Sequence, residues 1–396
     1  MNGIKYFPEN INIEGKKIFL RLDLNVPIKN NKILDDTRII SALPFLKKLV
    51  EKKAKIIIAA HLGRPKGIKN KELSLIPIYK YLKAKIDTNI YFFMGNIDHK
   101  TKEKSSYLKP GEILLLENIR FFKEEEENNE IFANRLASLA DIYINDAFSC
   151  SHREQASVHK IVKFMKSSFA GPQLKKELEA INLIIKDKKE PVTCIIGGSK
   201  ISTKINVILN LMKKANNIIV VGAMANNFFV HMGFKIGKSI IENGSEKIIK
   251  KIYENSEKFG CKIIIPEDCG VAKNLEGENT IKKIDDINED EIILDIGSKS
   301  IKKIEDIIDK SNTIMWNGPA GYFENKNFAR GTNSIAKKIS ENTKNKSLIS
   351  ILGGGDTVSA INKTGTKLSF THLSTAGGAF LEYLEGKDLP GISVLK

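Results

Sequence analysis

The stretch KIIIAAHLGRP, residues 55–65, pairs an unbroken apolar run with an immediate turn made of His61, Gly63, Arg64 and Pro65. A short apolar run bounded by turn residues, with no polar alternation, reads as a strand buried on both faces. The same reading applies to Ile18–Leu22, Ile90–Met94, Ile113–Leu116 and Asp141–Asn145 in the first half of the chain. It continues at Val192–Ile196, Ile218–Val221, Lys262–Ile265, Ile292–Asp295, Thr313–Trp316 and Leu348–Leu352. Amphipathic stretches separate these runs, so strand and helix alternate and the class is α/β with parallel sheets. This many strands exceed one compact open sheet, which predicts two doubly wound sheets. The 396 residues suit that division, since a domain takes roughly 150. A boundary near Gly171-Pro172 is expected, because Pro172 can open the helical stretch Gln173–Lys188. No short repeat period is present, which excludes a solenoid.

Composition narrows the class further. The chain is 42% hydrophobic and 28% charged with 11 Pro, which excludes disordered and collagen-like chains. Its apolar runs are far shorter than the roughly 20 residues of a membrane span. The first residues, MNGIKYFPENINIEGKK, lack an apolar signal core, so a cytoplasmic protein is expected. Cys150, Cys194, Cys261 and Cys269 form no CxxC pair and read as reduced thiols rather than a zinc site. The net charge of +16 invites a nucleic-acid reading, but the excess is spread, with net +10 in residues 1–172 and +6 in 173–396. No nucleic-acid motif accompanies it. The run Lys123–Glu127 reads as a solvated helix start.

Only seven of the 63 basic residues are Arg, and six of them lie in the first 153 residues. Arginine suits places that need a planar fork for carboxylate or phosphate, although any one of them can equally be a surface survivor. The first-half polar clusters follow strand ends. Arg21, Asp23 and Asn25 share one face of an extended segment. Arg38 follows the helix start Asp35-Asp36-Thr37, His61 and Arg64 follow one strand, Arg120 follows Glu117, and His152-Arg153 follows another. Together they describe a basic pocket at the carboxyl ends of parallel strands, where α/β sheets bind ligands. His61 and His152 each remain readable as ordinary structural histidines.

The second half offers glycine-rich helix starts that suit phosphate. Gly353–Asp356 follows a strand, and Asp356 reads either as a Mg²⁺ ligand beside phosphate or as a helix N-cap. Gly197-Gly198-Ser199-Lys200 follows another strand, and Lys200 and Lys204 are expected to share a face of the next helix, as functional or merely surface lysines. Ala376–Ala379 is a third such start. Two decoys fail: Gly233–Ser239 has three residues between its glycines where a P-loop has four, and reads as a turn. Gly353–Val358 has Val358 where the dinucleotide fingerprint needs glycine.

These segments together resemble phosphoglycerate kinase from end to end. The carriers are RLDLNVP (21–27), Asp36–Arg38, HLGRP (61–65), LLENIRF (115–121), GGSKISTK (197–204), TIMWNGPAGYFE (313–324), FARGT (328–332) and GGGDTVSAI (353–361). The resemblance implies two Rossmann-like three-layer domains, each with a mainly parallel sheet, joined by a helix and hinge. Residues 1–172, with 378–396 packing back onto them, would bind 3-phosphoglycerate or 1,3-bisphosphoglycerate through Asp23, Asn25, Arg38, His61, Leu62, Gly63, Arg64, Arg120 and Arg153. Residues 173–377 would bind ADP or ATP through Lys200, Lys204, Glu324, Gly353, Gly354, Gly355, Asp356 and Thr357, with Mg²⁺ at Asp356. Arg38 and Lys200 are the expected catalytic residues for reversible in-line phosphoryl transfer with hinge closure, in a monomer with no membrane or specific nucleic-acid partner. Three positions depart from the family pattern: Gln155 stands where a second His is common, Ala376 replaces a Gly, and Glu267 replaces an apolar residue.

Overall fold

Buried at every position from Ile18 to Leu22, the strand Lys17–Leu22 lies inside a six-stranded sheet of the computed structural model, which describes residues 3–396. The strand order is Ile90–Phe93, Ile113–Leu116, Lys55–Ala59, Lys17–Leu22, Ile142–Asp146 and Ser168–Ala170, and every pair is parallel. Side chains alternate across a sheet, so continuous burial of 18–22, 113–116 and 142–146 means that both faces are covered. One cover is the helix Thr37–Glu51, whose Ile39, Leu46 and Leu49 pack with Leu20, Ile56 and Leu115. Each such fully buried side chain contributes roughly 1.5–3 kcal/mol. The register sets Arg21 opposite Ala59 and Leu22 opposite Asp146, so neighbouring strands end level. The loops 23–25, 60–64, 117–120 and 147–157 therefore leave from one edge.

A second all-parallel sheet runs Lys262–Ile264, Asn217–Val220, Val192–Ile196, Thr313–Asn317, Ile349–Gly353 and His372–Ser374. Ile195, Ile219, Ile314, Trp316 and Leu352 carry its core with Ile335 and Ile339 of the helix Arg330–Asn345. One run departs from the sequence reading. Ile292–Ile296 belongs to a separate antiparallel sheet with Asp268–Ala272 and Thr280–Lys283. Its first two isoleucines are half-buried, so this run lies on a sheet that faces solvent in part, which an apolar run alone does not disclose.

The chain divides into two compact units, one of residues up to Leu178 with Asp388–Lys396 and one of Glu179–Lys387. The boundaries thus fall within the helix Pro172–Ile185 and beyond the helix Gly377–Leu384, rather than at 172 and 377. The second shift has a visible cause, because Asn210 donates to Leu384 O at 2.7 Å and keeps that helix with the second unit. In the first unit, Lys5 N–H donates to Leu395 O and Gly391 N–H to Ser151 O, each at 2.9 Å. The helix start at Pro172 is fixed by Asp146, whose carboxylate accepts from Gln173 N–H at 2.7 Å and Leu174 N–H at 3.1 Å. Burial pushes that carboxyl up to about 6, against those two bonds. The Lys123–Glu127 reading needs correcting as well, because Glu125 is fully buried and takes its partners from Ser157.

Candidate functional site

In the first unit the expected residues meet at the level strand ends. Arg38, in the first turn of Thr37–Glu51, donates from Nη1 to Asp23 at 3.0 Å and to Asn25 O at 3.1 Å. Ser149 Oγ holds the other Asp23 oxygen at 2.5 Å. Residues 61–63 are pinned from three sides: Asn25 Oδ1 accepts from Gly63 N–H at 2.9 Å, Asn118 donates to Leu62 O at 2.7 Å, and Arg120 Nη1 donates to Gly63 O at 3.0 Å. Gly63 has φ 62°, and a Cβ there would stand 2.8 Å from the Leu73 side chain, so the position favours glycine. Arg120 also reaches Gln155 Oε1 at 3.4 Å, so Gln155 supplies an acceptor where the family commonly has an imidazole. Arg120 Nε is buried and has no acceptor among the described residues.

His61 is buried, and burial with the nearby Arg120, Arg21 and Arg38 holds it well below the usual histidine range. It is therefore neutral. Arg64 and Arg153 are exposed on loops that leave the same edge, Arg153 Nε donating to His152 Nε2 at 3.0 Å. Sequence reasoning missed Ser149 and Asn118 as organisers of this set. Asn118 lies within the LLENIRF segment already singled out, while nothing marks Ser149, because its role depends on a strand end brought beside Asp23 by the sheet order.

In the second unit the turns also leave from the carboxyl ends of the parallel strands. Lys204 Nζ donates to Gly197 O at 2.5 Å and to Asn317 Oδ1 at 2.6 Å, and Asn317 donates onward to Gly353 O at 2.6 Å. Three strand-end turns are thereby tied to one ammonium. Burial pushes Lys204 down to about 8, opposed by the charge of Asp356. The expectation that Lys200 and Lys204 share a helix face fails, since the helix begins at Ile205 with Lys204 as its N-cap residue. Lys200 is exposed in the preceding turn. Of the two readings of Asp356, the helix N-cap is excluded: Gly354 at φ 107° is the N-cap, and Asp356 is an exposed residue of the first turn of Gly355–Lys363. Thr357 Oγ accepts from Gly318 N–H at 2.7 Å and donates to Gly353 O at 3.0 Å. Gly233–Ser239 is a turn, as read. Ala376 precedes the helix Gly377–Leu384 as its N-cap residue, and Glu267 pairs with Lys303 at the surface.

A cavity of about 520 Å³ runs in this unit from the apolar Phe229, Ile240 and Leu294 to Gly198, Glu324 and Asp356. Its volume and its mixture of apolar wall with a polar end suit a nucleotide. Gly318 precedes Pro319, which lines the cavity. A Cβ on Gly318 would stand 2.4 Å from the Gly197 backbone, and its φ is 96°. Gly318→Ala is expected to lower stability by about 2–4 kcal/mol through that clash and the strained φ, read as a shift of the urea midpoint. An unchanged midpoint would contradict the close approach of the two turns.

The phosphoglycerate kinase family model matches residues 9–387. The chain belongs to the phosphoglycerate kinase family. It is 44% identical over 390 residues to a phosphoglycerate kinase of Wolbachia sp. subsp. Drosophila simulans, covering 98% of each chain. It is 41% identical to that of Chelativorans sp. over the whole of both chains. Among solved structures, phosphoglycerate kinase of Coxiella burnetii matches with TM-score 0.88 at 39% identity, covering 98% of this chain and 97% of the other. The Pyrococcus horikoshii structure matches with TM-score 0.82 at 29% identity, covering 98% of both. The protein is thus a phosphotransferase with a carboxyl group as acceptor, acting in glycolysis and its reversal. Among the described residues no helix is long and apolar enough to cross a membrane.

Proposed function

We propose that the first unit binds 3-phosphoglycerate or 1,3-bisphosphoglycerate and the second binds ADP or ATP, and that the phosphoryl group passes in line between them. The observation that carries this reading is the buried Arg120 Nε, without an acceptor among the described residues, in a hydrogen-bonded set with residues 61–63, Asn25, Asp23 and Arg38. Such a guanidinium is built for an anionic oxygen. Arg64 and Arg153, exposed on neighbouring loops, supply further positive charge to the same substrate.

On the nucleotide side, Lys204 and the turn Gly353–Thr357 take the phosphates, with backbone N–H groups at the start of Gly355–Lys363 adding to the anion site. Glu324 takes the ribose. Among the described residues no group of three His, Cys, Asp or Glu side chains is placed to hold a metal ion. The exposed single carboxylate of Asp356 fits Mg²⁺ bound jointly by protein and nucleotide, since Mg²⁺ is commonly held by one or two carboxylates plus phosphate oxygens. Bound there, Mg²⁺ would neutralise charge on the nucleotide phosphates. The attacking and leaving groups are already oxyanions, so no general base is needed. The protein's part is to position and to stabilise the transferring charge. Arg38 and Lys200 do so from the two substrates' sides, and in-line transfer then requires the two platforms to close on each other. We place this activity in a cytoplasmic monomer.

The test is steady-state turnover of 3-phosphoglycerate with ATP, with and without Mg²⁺. Production of ADP only when all three are present is expected. A folded sample with no turnover would overturn the reading.

A further inference from the structure

Glu125, fully buried, is held so that the positions of the protons around it are fixed. Arg21 Nε donates to Ser157 Oγ at 2.9 Å. Arginine only donates, so the single Ser157 hydroxyl proton points elsewhere. It goes to Glu125 Oε1, 2.6 Å away, while Ser157 N–H donates to Oε2 at 2.8 Å. Both carboxylate oxygens accept, as an ionised carboxylate does. Burial pushes the Glu125 carboxyl up from its ordinary value, opposed by Arg21, by the two Ser157 bonds and by Arg120. Glu125 is thus the counter-charge of Arg21, which is itself fully buried.

The other end of Arg21 reaches the substrate loop. Nη1 donates to Leu22 O at 2.6 Å, and Nη2 lies 3.4 Å from His61 Nδ1. Because Nη2 can only donate, Nδ1 must accept, and a neutral imidazole that accepts at Nδ1 carries its proton on Nε2. Cys150 Sγ, 3.5 Å from the same nitrogen, can donate or accept, and it also takes Arg21 Nη2 at 3.7 Å, so the tautomer rests on the Arg21 contact.

We propose that Glu125 is a positioning residue: through Ser157 and Arg21 it fixes His61 as the neutral tautomer protonated on Nε2, a hydrogen-bond donor for an anionic oxygen of the phosphoglycerate substrate. The binding consequence rests on the assignment of His61 to that substrate; the tautomer does not. A neutral donor here adds a hydrogen bond without placing one more cation among Arg21, Arg38 and Arg120.

The experiment is long-range proton–nitrogen correlation spectroscopy of the six histidines, with His61 identified by the signals lost in His61→Gln. The wild-type protein is expected to show an unprotonated Nδ1 and a protonated Nε2. Glu125→Gln removes the counter-charge and turns an amide NH2 toward Ser157 N–H. In that variant the two His61 tautomers are expected to average. KM for 3-phosphoglycerate then rises roughly tenfold, the size of one hydrogen bond to a charged group, while KM for ATP stays within about twofold. A proton on Nδ1 in the wild type overturns the proposal, as does a Glu125→Gln protein with both the spectrum and the 3-phosphoglycerate KM unchanged. Should Glu125→Gln fail to fold, Ser157→Ala removes the bridge and keeps both charges. The same shifts are then expected, and an unchanged spectrum and KM overturn the proposal. If His61→Gln leaves the 3-phosphoglycerate KM unaltered, the assignment of His61 to the substrate falls and the binding consequence falls with it, a result distinct from a wrong tautomer.

Discussion

Replacing Arg38 by alanine is expected to lower turnover by roughly 10²- to 10³-fold, the usual loss when one preorganised donor to a transition-state oxyanion is removed, with ADP affinity unchanged. The structure gives the reason that the loss falls on kcat. Arg38 is already held in place before any substrate arrives: Nη1 is bonded to Asp23 and to Asn25 O, and Asp23 is bonded in turn to Asn25 N–H and Ser149. No reorganisation is needed when charge develops on the transferring group. The fold survives the change. The Arg38–Asp23 pair is partly exposed, with side chains 23% and 14% accessible, and such pairs are worth about 1 kcal/mol or less. Asp23 also keeps its Asn25 and Ser149 partners. Arg38→Lys is not expected to restore the rate, because a point charge cannot reproduce the planar fork. The measurements are kcat with saturating substrates and ADP affinity by titration. Loss of ADP affinity in Arg38→Ala would place Arg38 with the nucleotide and defeat the division of roles.

The sheets were legible because parallel strands buried on both faces are the most conspicuous runs in a sequence, as at Ile113–Leu116 and Val192–Ile196. What failed depended on contacts between distant segments. Asp268–Ala272, with sequence DCGVA, carries a carboxylate and a glycine inside a fully buried strand, so no pattern announces it. Its carboxylate is satisfied by the backbone and hydroxyl of Ser300, 32 residues away. Ile292–Ile296 looked parallel because isoleucine runs suit either kind of sheet. The segments of the candidate site were legible, yet their geometry was not. Lys204 folds back on Gly197 rather than lying on a helix face, and Glu125 looks solvated among its acidic neighbours until the 147–157 loop covers it. Charge runs are read as surface because most are; only the packed chain shows which one carboxylate has a buried arginine to answer.

Nucleotide binding is expected to weaken as pH rises through about 8, and Lys204 is the group responsible. Its ammonium bonds to Gly197 O and Asn317 Oδ1 in a half-buried setting whose desolvation pushes it down to about 8 from an ordinary 10.5. Desolvation disfavours the charged form, and the charge of Asp356 only partly offsets it. The sign follows. A base with a depressed pKa carries its full folding penalty below about 8, and that penalty is relieved as pH climbs from about 8 toward 10.5. The free protein therefore gains stability over that window through this group. Nucleotide phosphates oppose the trend, because they favour the ammonium; above about 8, binding must take up a proton. ADP affinity is thus expected to be flat below pH 8 and to fall by up to roughly tenfold per pH unit above it, until the pKa of the complex is reached. Lys204→Met should bind ADP roughly 10- to 100-fold more weakly at pH 7, having lost a charge-assisted bond, and should show no such slope. Its two former acceptors, Gly197 O and Asn317 Oδ1, also lose their donor, so a lower urea midpoint accompanies the change. Titration with ADP between pH 7 and pH 9.5 on both proteins decides the matter. A wild-type affinity that stays flat across the range, or a slope that persists in Lys204→Met, would remove Lys204 from the phosphate site.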